Sequence, residues 1–301
     1  MKDALGFSLA VGVGVLLLTP PIQGWMQPGT RTVYISAVDN KDAPVDGLTA
    51  ADFTIKEDGK TREIVSAEIA RTPIEAVLML DDSGLGLGAI RQGAGQFVET
   101  LQGRAEFAII TMAGRNLPLV DFTADPPTLY AGLQKMLTRN VPSTYILDGL
   151  VEVAQTLQRR KAVRPVILLV VVEGEELSSA RPEVVTNEIQ KSGAKLYYVG
   201  LGPPATQGNR PAYAAARAGE STEDESGRRN AVIGSAPGNS GGRSEQILQP
   251  SGLPGLLKQI AVELAGQYAV TYRTDSTDAR LNVDMKKKGI KLRAPARVGS
   301  K

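Results

Sequence analysis

The chain has 301 residues, 42% of them hydrophobic, with 34 basic side chains against 32 acidic ones. That length holds one large domain with an attachment, or two modest ones, and a net charge of +2 gives no field directed at nucleic acid or an anionic membrane. Histidine and cysteine are both absent, which excludes Ser-His-Asp and Cys-His catalysis and zinc sites built from imidazole or thiolate, and leaves only hard ions on oxygen ligands.

Lys2 precedes an apolar run over 4–18, which Thr19-Pro20-Pro21 breaks. The run is about 15 residues, short of the ~20 that a membrane span needs. Residues 1–24 therefore read as a secretory signal cleaved near Gly24. The alternative is an uncleaved signal anchor, because Asp3 weakens the basic start and Ile22 is a poor residue three before the cut. The expectation is export to the periplasm, cell envelope or medium, with no membrane insertion unless the signal is retained.

Three short alternating stretches follow, TVYISAVD (32–39), DFTIKED (52–58) and REIVSAEIA (62–70), and Asp58-Gly59 between the last two is a hairpin signal. After Thr72-Pro73 the pattern changes. IEAVLML (74–80) is continuously apolar, as in a strand buried on both faces. A helix with Ile90, Phe97 and Leu101 on one face comes next, then a strand EFAIITM (106–112) and its hairpin partner LPLVDFT (117–123). Helices are predicted over 128–137, 147–160 and 182–191, with strands PVILLVVV (165–172) and KLYYVGLG (195–202) between and after them. Buried strands alternating with amphipathic helices predict an α/β fold with a doubly wound, mostly parallel sheet.

From 203 to 242 Gly, Ser, Asn, Arg, Glu and Pro dominate, which predicts a flexible insertion with at most a short helix at 213–217. A last helix over 253–264 leads into QYAVTYR (267–273), RLNVDMK (280–286) and GIKLRAP (289–295), which alternate again. Neither terminal set of strands can bury a face alone. The sequence therefore predicts a small antiparallel β subdomain drawn from both ends, 30–71 and 267–298, around an α/β unit over 72–266. Lys286-Lys287-Lys288 reads as a solvated strand end or turn rather than a binding patch.

The chemistry centres on LMLDDSGLGLG (78–88), a buried strand that ends in two aspartates and a serine. A phosphate cradle is disfavoured: the glycines are spaced G-x-G-x-G, and Asp81 and Asp82 would repel the anion. A phosphohydrolase using Asp81 as nucleophile is a minor alternative, since position 83, where an acid/base is needed, is serine.

Asp81-Asp82-Ser83-Gly84-Leu85 resembles the D-x-S-x-S loop of von Willebrand factor type A domains. STYILDGL (143–150) resembles that family's threonine loop, and Val172-Glu173-Gly174 its later acidic loop. SAVDNKDAPVDGLTAADFTIKEDGKTREI (36–64), SGGRSEQIL (240–248) and LLKQIAVELAGQYAVTYR (256–273) are similar to the secreted bacterial "VWFA-related" family, so the likeness spans about 30–298. The resemblance implies a Rossmann-like fold and a metal-ion-dependent adhesion site formed by Asp81, Ser83, Thr144 and Glu173, holding Mg²⁺ or Mn²⁺. Two departures weaken that site: Leu85 replaces a serine ligand, and Glu173 is a methylene longer than aspartate. Without metal, Asp81, Ser83 and Thr144 would only satisfy loop backbone. The implied function is a secreted, non-enzymatic protein-binding module that meets its partner with Asp82, Leu85, Ser143 and Glu175. The alternative is an envelope scaffold or assembly subunit with a vestigial, metal-free face. Glu175 and Glu176 are expected to be solvated.

Overall fold

The computed structural model describes residues 29–84, 86–139, 141, 143–172, 175–202 and 221–299. Chain order begins with β1 (Gly29–Val38), β2 (Phe53–Glu57), β3 (Lys60–Arg62) and β4 (Ile64–Ile69). Asp58 and Gly59 both have positive φ, 46° and 82°, the geometry of a two-residue hairpin turn matched to strand twist. They join β2 to β3 as their sequence predicts.

The α/β layer then runs β5 (Ile74–Leu80), α1 (Leu87–Thr100), β6 (Ala105–Thr111), β7 (Leu117–Thr123), α2 (Pro126–Lys135), β8 (Ser143–Thr144), α3 (Ile146–Arg159), β9 (Pro165–Val172), β10 (Glu175–Glu176), α4 (Pro182–Ser192) and β11 (Lys195–Leu201). It closes with α5 (Ser221–Asn239), β12 (Arg243–Ile247) and α6 (Leu253–Ala265). The six-stranded sheet has the order β12-β11-β9-β5-β6-β7. Every neighbour is parallel except the β6–β7 hairpin. One core packs α1, α2 and α6 on one face of the sheet, through Phe97, Leu129 and Leu257. A second packs α3, α4 and α5 on the other, through Leu150, Ile189 and Val232. Strands covered on both faces must be apolar throughout, and seven of the eight residues of β9 are buried.

The insertion predicted over 203–242 needs correction. Residues 221–239 form helix α5, despite Gly227, Gly234, Gly238 and Pro237 within it. Tertiary burial overrides propensity here: Val232, Ile233 and Ala236 are buried in the second core. The short helix expected at 213–217 lies outside the described residues. The strand β12 that follows was hidden by its polar sequence, RSEQI. It lies close on β11, where a Cβ on Gly242 would come within 2.0 Å of the Leu196 carbonyl oxygen.

The remaining strands are β13 (Tyr268–Thr274), β14 (Ala279–Met285), β15 (Lys291–Arg293) and β16 (Arg297–Val298). They pair with strands from the other end of the chain. One antiparallel sheet has the order β15-β1-β13-β4 and the other β16-β14-β2-β3. A third core, with Ile35, Phe53, Ile55, Tyr268 and Tyr272, fills the space between them. Glu57 is 1% exposed inside this layer. Its charge is met by Arg31 at 2.7 Å and Arg62 at 3.0 Å, and it accepts a hydrogen bond from the Tyr272 hydroxyl at 2.7 Å. The three consecutive lysines sit exposed after β14, as expected, with Lys287 3.1 Å from Asp52.

A polar seam joins the strand layer to the α/β layer. Glu263 of α6 receives Arg293 of β15 and the Tyr197 hydroxyl, each at 3.0 Å. Asp42 takes Arg293 at 2.5 Å and Arg243 at 3.2 Å. Lys195 lies in the same seam and donates to the carbonyl oxygens of Gly241 and Arg293 at 3.1 and 3.4 Å.

Candidate functional site

The chain order of the sheet reverses at β5, with β6 on one side and β9 on the other. Crevices outside the carboxyl ends of strands at such a reversal are where open α/β sheets bind ligands. Asp81 follows β5 at this point, and its backbone N–H donates to the Val170 carbonyl at 2.9 Å. The Asp81 side chain is fully buried. Oδ1 accepts the Ser83 N–H at 2.8 Å and Oδ2 accepts the Val172 N–H at 3.0 Å. The carboxylate thus ties the ends of the two central strands together. Burial raises its pKa, hydrogen bonds from the Ser83 hydroxyl and the two N–H groups lower it, and the nearby negative Asp82 raises it again.

Asp82 was expected to face a partner, and the structure corrects this. It is 3% exposed and engaged by Arg139, whose Nε and Nη2 lie 2.7 and 2.9 Å from its two oxygens. Arg139 also donates to the Thr111 hydroxyl at 2.9 Å, and its backbone N–H to the Asp82 carbonyl at 2.9 Å. A bidentate arginine fork of this kind fixes geometry as well as charge. No feature of the sequence marked Arg139 as part of the site, because its partner is 57 residues away.

Thr144 is buried and bridges Ala113, whose N–H donates to Asp82 at 3.0 Å. Ala113 thus links the loop after β5 to the threonine loop. Ser143, also expected at a partner face, is buried, and its carbonyl accepts the Gly114 N–H at 2.9 Å. Glu176 is not solvated as expected: it is 2% exposed and accepts from the N–H groups of Ile146 and Ser178. Leu85 and Glu173 lie outside the described residues, and so does the Glu175 side chain. Gly86, just past the loop, has φ +96° and lies against Pro250, a conformation that requires glycine.

Leu137 is 71% exposed and Leu248 70%, with Val141 and Leu177 also exposed. All four sit on segments beyond the carboxyl ends of the sheet strands or beside the threonine loop. A groove of about 500 Å³ lies elsewhere, on the flank between β7 and α2, and neither Asp81 nor Thr144 lines it.

Asp81, Ser83 and Thr144 offer one carboxylate and two hydroxyls, the donor class of a hard divalent ion. Among the described residues no group of three or more Asp or Glu gathers to form a cage. An ion here would therefore depend on the hydroxyls. These donors match such an ion in type, with a single carboxylate among them whose two oxygens already accept backbone N–H groups.

No protein-family model matches the chain, and no curated protein matches it. Among solved structures, it is similar to proximal thread matrix protein 1 from the mussel byssus, in a form with zinc in its metal-ion-dependent adhesion site motif. The TM-score is 0.50 at 14% identity, covering 69% of this chain and 49% of that one, so this chain spans about half of the mussel protein. It is also similar to the von Willebrand factor type A structure from Catenulispora acidiphila, with TM-score 0.48 and 11% identity, covering 89% of this chain and 74% of that one. At these identities the likeness is one of fold alone.

Proposed function

We propose that this chain, a von Willebrand type A fold with a strand layer built from both ends of the chain, is an exported, non-enzymatic protein-binding module. Its working face is the carboxyl edge of the six-stranded sheet. The observation that carries this reading is the buried Asp81 carboxylate at the strand-order reversal, and Leu137, Val141, Leu177 and Leu248 are exposed on neighbouring segments. Exposed apolar side chains on these segments would suit contact with a protein partner. Asp81, Ser83 and Thr144 would hold Mg²⁺ or Mn²⁺ weakly, and Glu173 would complete the set. A bound ion would supply positive charge for a partner's carboxylate. The polypeptide's own part is to bury Asp81, aim the hydroxyls and present the exposed apolar side chains.

A nucleophilic Asp81 is no part of this reading, because position 83, where an acid/base would be needed, is serine. Export rests on the sequence of 1–24. No helix among the described residues is long and apolar enough to cross a membrane.

A photo-crosslinker at Leu177 or Leu248, in cells exporting the protein, should trap a discrete protein adduct. Asp81→Ala should weaken that adduct, and a crosslinker at Lys287 on the strand layer should not form it. Adducts formed only from Lys287 would instead favour the scaffold reading, in which the strand layer makes the contacts.

A further inference from the structure

Tyr145, at the N-cap position of α3, makes no side-chain cap. The first turn of a helix leaves backbone N–H groups without partners, and they carry the positive end of its dipole. Here the cap comes from another segment. Oε2 of Glu176 accepts the Ile146 N–H at 3.2 Å, and the carboxylate also accepts from Leu147. Oε1 accepts the N–H of Ser178 at 3.0 Å. The contact is returned from the helix side. The Ser178 hydroxyl accepts the Asp148 N–H at 3.0 Å, while the Asp148 carboxylate accepts the N–H groups of Ser179 and Ala180 at 3.1 and 2.8 Å.

This staple bears directly on Thr144. β10 pairs with β8 in parallel, with Glu176 opposite Thr144, and the Leu177 N–H donates to the Thr144 carbonyl at 2.9 Å. On its other side Thr144 bridges Ala113. One residue, Tyr145, separates Thr144 from the first N–H that Glu176 holds. A buried carboxylate is costly unless hydrogen-bonded, yet a leucine here would leave both the helix start and the Ser178 N–H unmet.

We propose that Glu176 is the positioning residue of the carboxyl-edge site: by capping α3 from the neighbouring segment, it fixes where the Thr144 hydroxyl stands relative to Asp81. This rests on the functional reading above, and it assigns to Glu176 no contact with ion or partner. Asp148 and Ser178 complete the clamp from the helix side.

The test uses the full chain carrying Glu176→Gln, which keeps the volume but only one acceptor, and Glu176→Ala, which keeps none. Amide exchange is measured over 143–148 and 176–180 and compared with β5 and β9. Exchange should accelerate at least about tenfold at Ile146 and Ser178 in the alanine variant, less in the glutamine variant, with β5 and β9 unchanged. Mn²⁺ is the probe for the site. Broadening of the Thr144 amide by Mn²⁺ should weaken in both variants, while that of Ser83 persists. Unchanged exchange at 143–148, or equal acceleration throughout the sheet, would overturn the positioning role. If the parent protein shows no Mn²⁺ effect, the metal reading fails, and the exchange arm still decides the role of Glu176. Should the alanine variant not fold, Ser178→Ala tests the same clamp from its other side and should accelerate exchange at Asp148.

Discussion

Nε of Arg139 stands 2.7 Å from Oδ2 of Asp82, and the aspartate is nearly sealed from solvent. Breaking a buried pair from the arginine side strands an uncompensated carboxylate, which costs about 3–5 kcal/mol. Arg139 keeps part of its own side chain exposed, so the lower end applies. Arg139→Met is expected to destabilise by about 3 kcal/mol in urea unfolding, and adding Asp82→Asn should recover a large part of that loss. If the double variant is no more stable than the single one, the pair does not carry the charge balance of the edge.

The strand layer supplies a second prediction. β1 is paired along most of its length with β13, from the far end of the chain. Glu57 on β2 is likewise bound to Tyr272 on β13. A chain truncated after Gln267 should lose amide-exchange protection over 32–70, since those strands would have free edges and half a core. Full protection of 32–70 in the truncated chain would contradict a shared layer.

Lys195 sets a pH dependence. Burial lowers its pKa to about 7, with Glu263 opposing that shift and Arg164 and Arg293 reinforcing it. The ordinary value is 10.5. Between about pH 7 and 10.5 the unfolded chain holds a proton on Lys195 that the folded chain does not. Stability therefore rises with pH across that window, and the contribution is flat below it. Asp42, Arg243 and Tyr197 also face the seam, so the readout is the difference between the parent and Lys195→Met. The parent should gain stability relative to the variant as pH rises from 7 to 10 in chemical unfolding; parallel profiles would contradict a neutral lysine in the seam.

The α/β order was legible in the sequence because doubly buried strands such as PVILLVVV cannot be read as anything solvated. The hairpin at Asp58-Gly59 was legible from turn chemistry alone. Helix α5 was not, because its glycines and Pro237 argue against a helix, and only the burial of Val232, Ile233 and Ala236 decides otherwise. At the site, the D-D-S loop drew attention to Asp81 and Ser83. What Asp82 does depended on Arg139, and what Glu176 does depended on α3. Both are contacts between segments, invisible to local pattern. A charged residue in a loop reads as solvated until the fold supplies a donor for it.

An adhesion-type edge organised on Asp81 would show itself in Mn²⁺ titration followed by amide broadening and thermal unfolding. Broadening should centre on Ser83, Ala113 and Thr144, with a rise in Tm because the ion binds only the folded state. Both should vanish in Asp81→Ala. Leu85→Ser, which restores a hydroxyl to the loop, should tighten binding about tenfold, equivalent to about 1.4 kcal/mol. If millimolar Mn²⁺ produces no selective broadening in the parent or in Leu85→Ser, or if the broadening survives Asp81→Ala, the edge is not an adhesion-type site.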